Sequence, residues 1–280
     1  MGRQGYRLLM QLGFFLLQNP FLNNFFTGRI YQGPLKRICT PGLNCYSCPA
    51  AAVSCPMGAM QLFFSGVRYH ISLYVTGFLL TVGVVFGRFI CGYLCPMGLL
   101  QDLLYRIKSP KLIVRLRLLK YVKYGVLLIF VIILPIVVRN ALSGLGHPWF
   151  CAYICPVGTI FGAVPLLAAN DFLRDLIGMQ FAIKITIAAT IVILSVFIIR
   201  IFCRVLCPLG AIYGILNKVS IVHVKHDAHT CTDCGQCATA CHIKIEPMAQ
   251  PNAPECYRCG RCVSACEPKA LQINLSPKAR

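Results

Sequence analysis

Sixteen of the eighteen cysteines in this 280-residue chain fall into sets of four whose spacing suits metal chemistry. The last eight are Cys231, Cys234, Cys237 and Cys241, then Cys256, Cys259, Cys262 and Cys266. Each set reads C-x2-C-x2-C-x3-C. Thiolate sulfur is a soft ligand, and a tight loop presents three of them to one centre. A single such motif suits zinc as well as iron. Two in tandem point to [4Fe–4S] cubes, which take one thiolate per corner, rather than to zinc or disulfides. The chemistry implied is one-electron exchange.

Bacterial two-cluster ferredoxins carry this spacing, and there the fourth cysteine of each motif ligates the other cluster. The expected sets are therefore crossed. Cys231, Cys234, Cys237 and Cys266 form one, and Cys256, Cys259, Cys262 and Cys241 the other.

A second cysteine pattern runs through the preceding part. Cys55-Pro-Met-Gly-Ala-Met-Gln, Cys95-Pro-Met-Gly-Leu-Leu-Gln, Cys155-Pro-Val-Gly-Thr-Ile-Phe and Cys207-Pro-Leu-Gly-Ala-Ile-Tyr share C-P-x-G. Cys91, Cys151 and Cys203 stand four residues before three of these, and Cys48, followed by Pro49, stands seven before the first. Proline is at home in the first turn of a helix, so each Cys-Pro begins one. The cysteine then sits at a helix amino terminus, where unpaired N–H groups and the helix dipole favour an anionic cluster. The following glycine permits close backbone approach. Recurrence of this kind marks a duplicated unit.

The elements that position these cysteines are apolar. The chain is 57% hydrophobic and 12% charged, with a mean hydropathy of +0.69, which argues against a soluble domain. Segments 71–90, 121–138 and 182–202 are long enough to span a bilayer, and 6–26 is read as a fourth, interrupted span. The expected fold is thus a membrane all-α four-helix domain with an internal two-fold repeat, residues 1–218. A small α+β two-cluster ferredoxin-like domain, residues 219–280, follows. Ile221–Val224 and Leu271–Leu275 read as its terminal strands. Arg106, Lys108, Lys111, Arg115, Arg117, Lys120 and Lys123 crowd the loop between the second and third spans. The positive-inside rule puts that loop, both termini and the tail on the cytoplasmic side. Cys91, Cys95, Cys203 and Cys207 then form an inner-face set, and Cys48, Cys55, Cys151 and Cys155 an outer-face set. Cys39 and Cys45 remain as a pair that, in an oxidising compartment, reads as a disulfide or as alternative cluster ligands. The net charge of +19 does not indicate nucleic acid. Four thiolate-ligated clusters would offset about 8 of those charges, and the basic loop suits anionic lipid.

The C-x3-C-P motifs at Cys91–Cys95 and Cys203–Cys207, the spans and the eight-cysteine tail together resemble the polytopic ferredoxin-type membrane proteins of the NapH/MauN group. The stretch from Cys39 to Cys48-Pro, ending at Cys55-Pro-Met-Gly, is similar to polyferredoxin relatives of that group. The resemblance implies a prokaryotic cytoplasmic-membrane component that exchanges electrons with the quinone pool beside other subunits of a redox complex. Two features depart from the group. The outer cysteines exceed its two inner motifs, and Cys241-His242 stands where ferredoxins usually have Cys-Pro.

The leading expectation is an electron-transfer subunit of an oxidoreductase complex, with four [4Fe–4S] clusters running from a cytoplasmic donor or acceptor to quinone or a periplasmic redox protein. Quinone chemistry needs a titratable group by an apolar slot. His147, beside Trp149 and Cys151, is the candidate, with Asp171 or His70 assisting. Two alternatives stand: outer-face thiol–disulfide exchange through Cys39 and Cys45, and redox sensing or assembly. Met57, Met60 and Met97 read as core filler. His223, His226 and His229 read as a strand or linker. No dinucleotide fingerprint, P-loop or C-x-x-C-H haem motif is present.

Overall fold

The computed structural model describes residues 3–66, 69–114, 118–139, 145–175 and 177–275, without the side chains of residue 3 and of 69–72. The chain opens with α1, Arg3–Gln18. The α conformation is disfavoured at a residue preceding proline, and the helix stops just before Asn19-Pro20. Only a short turn, Asn24–Thr27, follows. The expected span 6–26 is therefore not one helix, which is a correction.

The polarity of α1 is inverted. Arg7, Gln11 and Gln18 are buried, whereas Tyr6, Leu9, Leu16 and Leu17 are exposed. In water that arrangement would be costly. Against hydrocarbon it is favourable, because polar groups in a membrane protein turn toward protein.

The C-P-x-G segments form short helices as expected. They are α2, Pro56–Phe64, and, beyond α3, Tyr69–Phe86, and α4, Phe89–Tyr93, the helix α5, Pro96–Leu104. Next comes α6, Leu119–Val137, whose ladder widens into π turns over Leu127–Ile133. Pro135 lies just beyond and has no N–H to donate to the ladder. A single π turn, α7, spans Phe150–Ile154, and α8 runs Gly158–Ala169. Then follow α9, Met179–Phe197, α10, Ile201–Val205, and α11, Pro208–Leu216.

Among the described residues, two helices are long and apolar enough to cross a membrane, α6 and α9. The described apolar stretch of α3 is the shorter Leu73–Phe86. Two of the four expected spans thus meet both criteria. α9 packs on α5, α7, α8 and α10, and α1 lies across α4 and α5.

The tail folds around an antiparallel pair. β1, Val222–His226, and β2, Leu271–Leu275, pair with Val224 opposite Ile273. Between them lie two four-residue helices, α12, Gln236–Thr239, and α13, Arg261–Ser264. β1 begins one residue later than expected. Asp233, Gly235 and Lys244 take left-handed backbone conformations, and so do Arg258, Gly260 and Lys269 at the matching positions of the second motif. The two loops thus share one path.

One continuous hydrophobic core holds Cys91, Cys95, Cys203, Cys207, Cys155, Met57, Met97 and Tyr213, and also Tyr257 of the tail. The methionines are core filler, as expected.

Candidate iron–sulfur sites

Cys91, Cys95, Cys203 and Cys207 are all buried, and their thiols lie within electrostatic range of one another. Cys95 and Cys207 precede α5 and α11 in extended conformation. Backbone N–H groups converge on their sulfurs. Gly210 donates to Cys207 Sγ at 3.3 Å, Leu43 donates to Cys95 Sγ at 3.5 Å, and Met97 and Gly98 donate there too. Two of the four motif glycines, Gly98 and Gly210, are needed for contact. A Cβ on Gly98 would lie 2.6 Å from the Cys91 carbonyl oxygen, and one on Gly210 2.9 Å from that of Cys203.

Two buried arginines cross between the motifs. Arg200 Nη1 donates to the Cys91 carbonyl, and Arg88 Nη2 to the Cys203 carbonyl at 2.9 Å. Asp102 pairs with Arg200 and, at 3.2 Å, with Arg7. Gln101 completes the set. Its Nε2 donates to Cys203 Sγ at 3.1 Å and its Oε1 accepts from the Phe202 N–H at 3.1 Å.

The same device recurs around the second membrane set. Gln61 Nε2 donates to Cys151 Sγ at 3.0 Å, and its Oε1 accepts from the Phe150 N–H at 3.0 Å. Backbone N–H groups of Met57 and Gly58 point at Cys55, and those of Val157 and Gly158 at Cys155.

The fourth member of this set differs from expectation. Cys45, Cys55 and Cys155 lie within electrostatic range of Cys151, and Cys45 Sγ is 3.5 Å from the place a Cβ on Gly158 would occupy. Cys48 instead faces Asn19 Oδ1 at 3.8 Å and packs with Ala50 and Ala51 in a separate small core. The structure therefore brings Cys45, not Cys48, to Cys55, Cys151 and Cys155. Spacing could not reveal this, because it does not say which sulfur of the Cys45–Cys48 turn meets the other thiols.

Cys39 and Cys45 are both free thiols, so the disulfide expected of them is not formed. Cys39 sits in the main core, in a bridge to Ser54.

In the tail, Cys231, Cys234, Cys237 and Cys266 line one pocket. Cys241, Cys256 and Cys259 lie within electrostatic range of Cys262. This is the crossed grouping. Burial pushes the Cys256 thiol up to about 11 and the Cys262 thiol to about 12.

Among the described residues, no three His, Cys, Asp or Glu side chains converge on a single-ion site. Soft donors at helix amino termini, with N–H groups turned to the sulfurs, match an anionic cluster.

The second tail motif is wedged against the first membrane set. Glu255 pairs with Arg88 at 3.2 Å and with Lys123. Arg200 lies 4.1 Å over the Tyr257 ring, and Arg258 donates to the Phe86 carbonyl at 2.9 Å. Burial alone would raise the Glu255 carboxyl, but Arg88 and Lys123 outweigh it and hold it below the usual carboxylate range. His242, the departure from Cys-Pro, accepts from Arg261. Burial and the charge of Arg261 lower its pKa.

His147 lies 5.8 Å from Trp149 and 6.0 Å from Tyr153, ring to ring. Among the described residues, His147 Nδ1 and Trp149 Nε1 are buried without hydrogen-bond partners. Asp171 is exposed and paired with Arg174, away from any such role. The side chain of His70 lies outside the described residues. Among the imidazoles before Cys231, His223 bonds its ring to the Ile221 carbonyl at 2.8 Å.

Sequence reasoning missed Gln61, Gln101, Arg88, Arg200, Asp102 and Glu255. A signal was present for some. The two glutamines stand at the same offset from Cys55 and Cys95, and each arginine stands three residues before a C-x3-C-P.

The family model for a 4Fe-4S binding domain matches three times, at residues 69–117, 124–172 and 183–225, together half of the chain. Each match contains one C-x3-C-P. The chain is 29% identical over 202 residues to the putative electron transport protein YccM of Escherichia coli, covering 67% of this chain and 52% of that one. It is 30% identical over 173 residues to the uncharacterized protein MJ0750 of Methanocaldococcus jannaschii, covering 58% and 62%. Against the methylamine utilization ferredoxin-type protein MauN of Methylorubrum extorquens it is 30% identical over 174 residues, covering 56% and 48%. The chain thus spans about half to three fifths of the length of these relatives. No solved structure matches. Matched over half its length by the family model, and similar to these ferredoxin-type relatives, the chain belongs to the 4Fe-4S binding domain family as a NapH/MauN-type ferredoxin-like protein.

Proposed function

We propose that this chain is the electron-transfer subunit of a membrane redox complex, with four [4Fe–4S] sites in two domains, 1–218 and 219–280. The sites are Cys231/Cys234/Cys237/Cys266, Cys256/Cys259/Cys262/Cys241, Cys91/Cys95/Cys203/Cys207 and Cys45/Cys55/Cys151/Cys155. Bound clusters supply one-electron exchange; the protein holds the sulfurs, excludes water and keeps neighbouring sites close. A cytoplasmic partner at the tail and a quinone or an outer-face redox protein at the other end are the ends of the path this reading implies.

The observation that carries it is the wedge formed by Glu255, Tyr257 and Arg258. Glu255 precedes a tail ligand and grips Arg88, which itself bonds the Cys203 carbonyl.

The test is iron and acid-labile sulfide per chain after anaerobic purification. About 16 irons are expected, falling to about 12 in Cys151→Ala/Cys155→Ala and in Cys45→Ser, but not in Cys48→Ser. About 12 in the wild type would confine the path to one face.

A second reading concerns the quinone. The unpartnered His147 Nδ1 and Trp149 Nε1, on the turn leading into Cys151, can meet the oxygens of a quinone headgroup. Inhibitor-sensitive quinol oxidation unchanged in His147→Ala would remove it.

A further inference from the structure

The segment from Cys39 to Cys45, Cys-Thr-Pro-Gly-Leu-Asn-Cys, is non-helical and nevertheless enters the core. Leu43 is 1% and Asn44 2% exposed. Buried irregular backbone must find partners for its polar groups, and this segment finds them in the site already described. The Leu43 N–H donates to Cys95 Sγ at 3.5 Å. The Pro41 carbonyl accepts from the Tyr213 hydroxyl at 2.9 Å. The Thr40 N–H donates to the Ser54 carbonyl at 3.0 Å. At Gly42 the segment touches the Cys95 backbone, where a Cβ would lie 2.9 Å from Cys95 Cα.

Two residues beyond Leu43, Cys45 joins the other membrane set. Two residues of chain reach at most about 7 Å. A donor to one site and a thiol of the next are therefore joined by a very short covalent path. Tyr213, fully buried, lies within electrostatic range of Cys91, Cys95 and Cys207, and also of Cys55. Both sets thus lie deep, on either side of one strap.

We propose that the Cys39–Cys45 strap is the electronic bridge between the two membrane sites. The Leu43 N–H couples it to Cys95, and the peptide through Asn44 carries that coupling to Cys45. The transfer concerns one electron: one site is oxidised and the other reduced, no bond breaks and no proton moves. A hydrocarbon core of about 30 Å is long for a single hop, and a strap that couples two inward-sunk sites removes that obstacle. The inference rests on the four-site reading above.

The test uses the full chain, purified anaerobically, with iron counted and the two membrane clusters distinguished by electron paramagnetic resonance. After flash photoreduction, freeze-quenched samples give the rate at which the electron equilibrates between them. In Gly42→Ala the new methyl must push the strap off Cys95. Iron should be retained and the rate should fall by an order of magnitude or more. Gly13→Ala, whose Cβ meets nothing within 4 Å, should leave it unchanged. Retained iron with an unchanged rate in Gly42→Ala overturns the bridge. Should Gly42→Ala lose iron, one glycine inserted after Asn44 decides the matter. A slowed rate in that variant supports the bridge, and an unchanged one overturns it. Failure of the four-site reading would appear separately, as wild-type iron near 12 per chain.

Discussion

At the scale of single residues, the two glutamines do the same task twice. Each uses its amide fully, giving N–H to a sulfur of the opposing motif and taking N–H from the residue before that sulfur. A donor to sulfur stabilises the added negative charge of a reduced cluster. Gln101→Leu should therefore move the midpoint potential of the Cys91/Cys203 site to a more negative value. It should also cost about 1–2 kcal/mol of stability through the orphaned Phe202 N–H. Redox titration followed by electron paramagnetic resonance checks the first, and chemical denaturation the second. The glycines divide despite sharing a motif. Gly98→Ala must displace the Cys91 carbonyl, whereas a Cβ on Gly58 meets nothing within 4 Å. Loss of about four irons per chain is expected for Gly98→Ala and none for Gly58→Ala, read by iron assay.

At the scale of elements, α1 is held by its polar stripe. Gln11 donates to the Gly92 carbonyl and to Asp102, both at 2.9 Å, Gln18 reaches the Leu94 carbonyl at 3.2 Å, and Arg7 joins Asp102. Burial would push the Asp102 carboxyl up; Arg200 and Arg7 outweigh it and hold the carboxyl low. A carboxyl lowered by folding adds stability that is complete above its unfolded pKa of about 3.9 and is lost as pH falls through the folded value. Between pH 6 and pH 8 this contribution is constant. Asp102→Asn should therefore cost about 3–5 kcal/mol, equally at both pH values, because it leaves buried guanidiniums uncompensated. Denaturant midpoints at the two pH values check this. A difference that grew between them would contradict an ionised Asp102.

At the scale of the whole molecule, the second tail motif meets the helices that precede it through charge enclosed in protein. Glu255 holds both Arg88 and Lys123, and Arg258 is fixed to Phe86, Asn217 and Ser220. Glu255→Gln should loosen this junction by about 2–3 kcal/mol, the usual contribution of hydrogen bonds to charged groups. All tail iron should remain. Faster amide exchange over residues 255–258, with unchanged iron, would show it; unchanged exchange would mean that Glu255 does not hold the tail. Salt should matter little, because buried pairs are screened far less than exposed ones.

Much of this protein was legible in the order of its residues. The tail sets, the C-P-x-G helix starts, the need for glycine at Gly98 and Gly210, and the apolar helices α6 and α9 all follow from local rules. Spacing, proline geometry and hydropathy act within one or two turns of chain. Only tertiary structure decided that Cys45 rather than Cys48 joins Cys55, Cys151 and Cys155, that α1 ends at Gln18 with its polar face inward, and that Glu255 reaches Arg88. Each of these depends on which residues distant in sequence share a buried space. A turn at Cys45–Cys48 presents two similar sulfurs, and the sequence carries no mark of which one meets the other thiols. Tertiary packing selects between them: the Cys45 sulfur meets three other thiols, while Cys48, within range of Cys45, faces Asn19 and packs with Ala50 and Ala51.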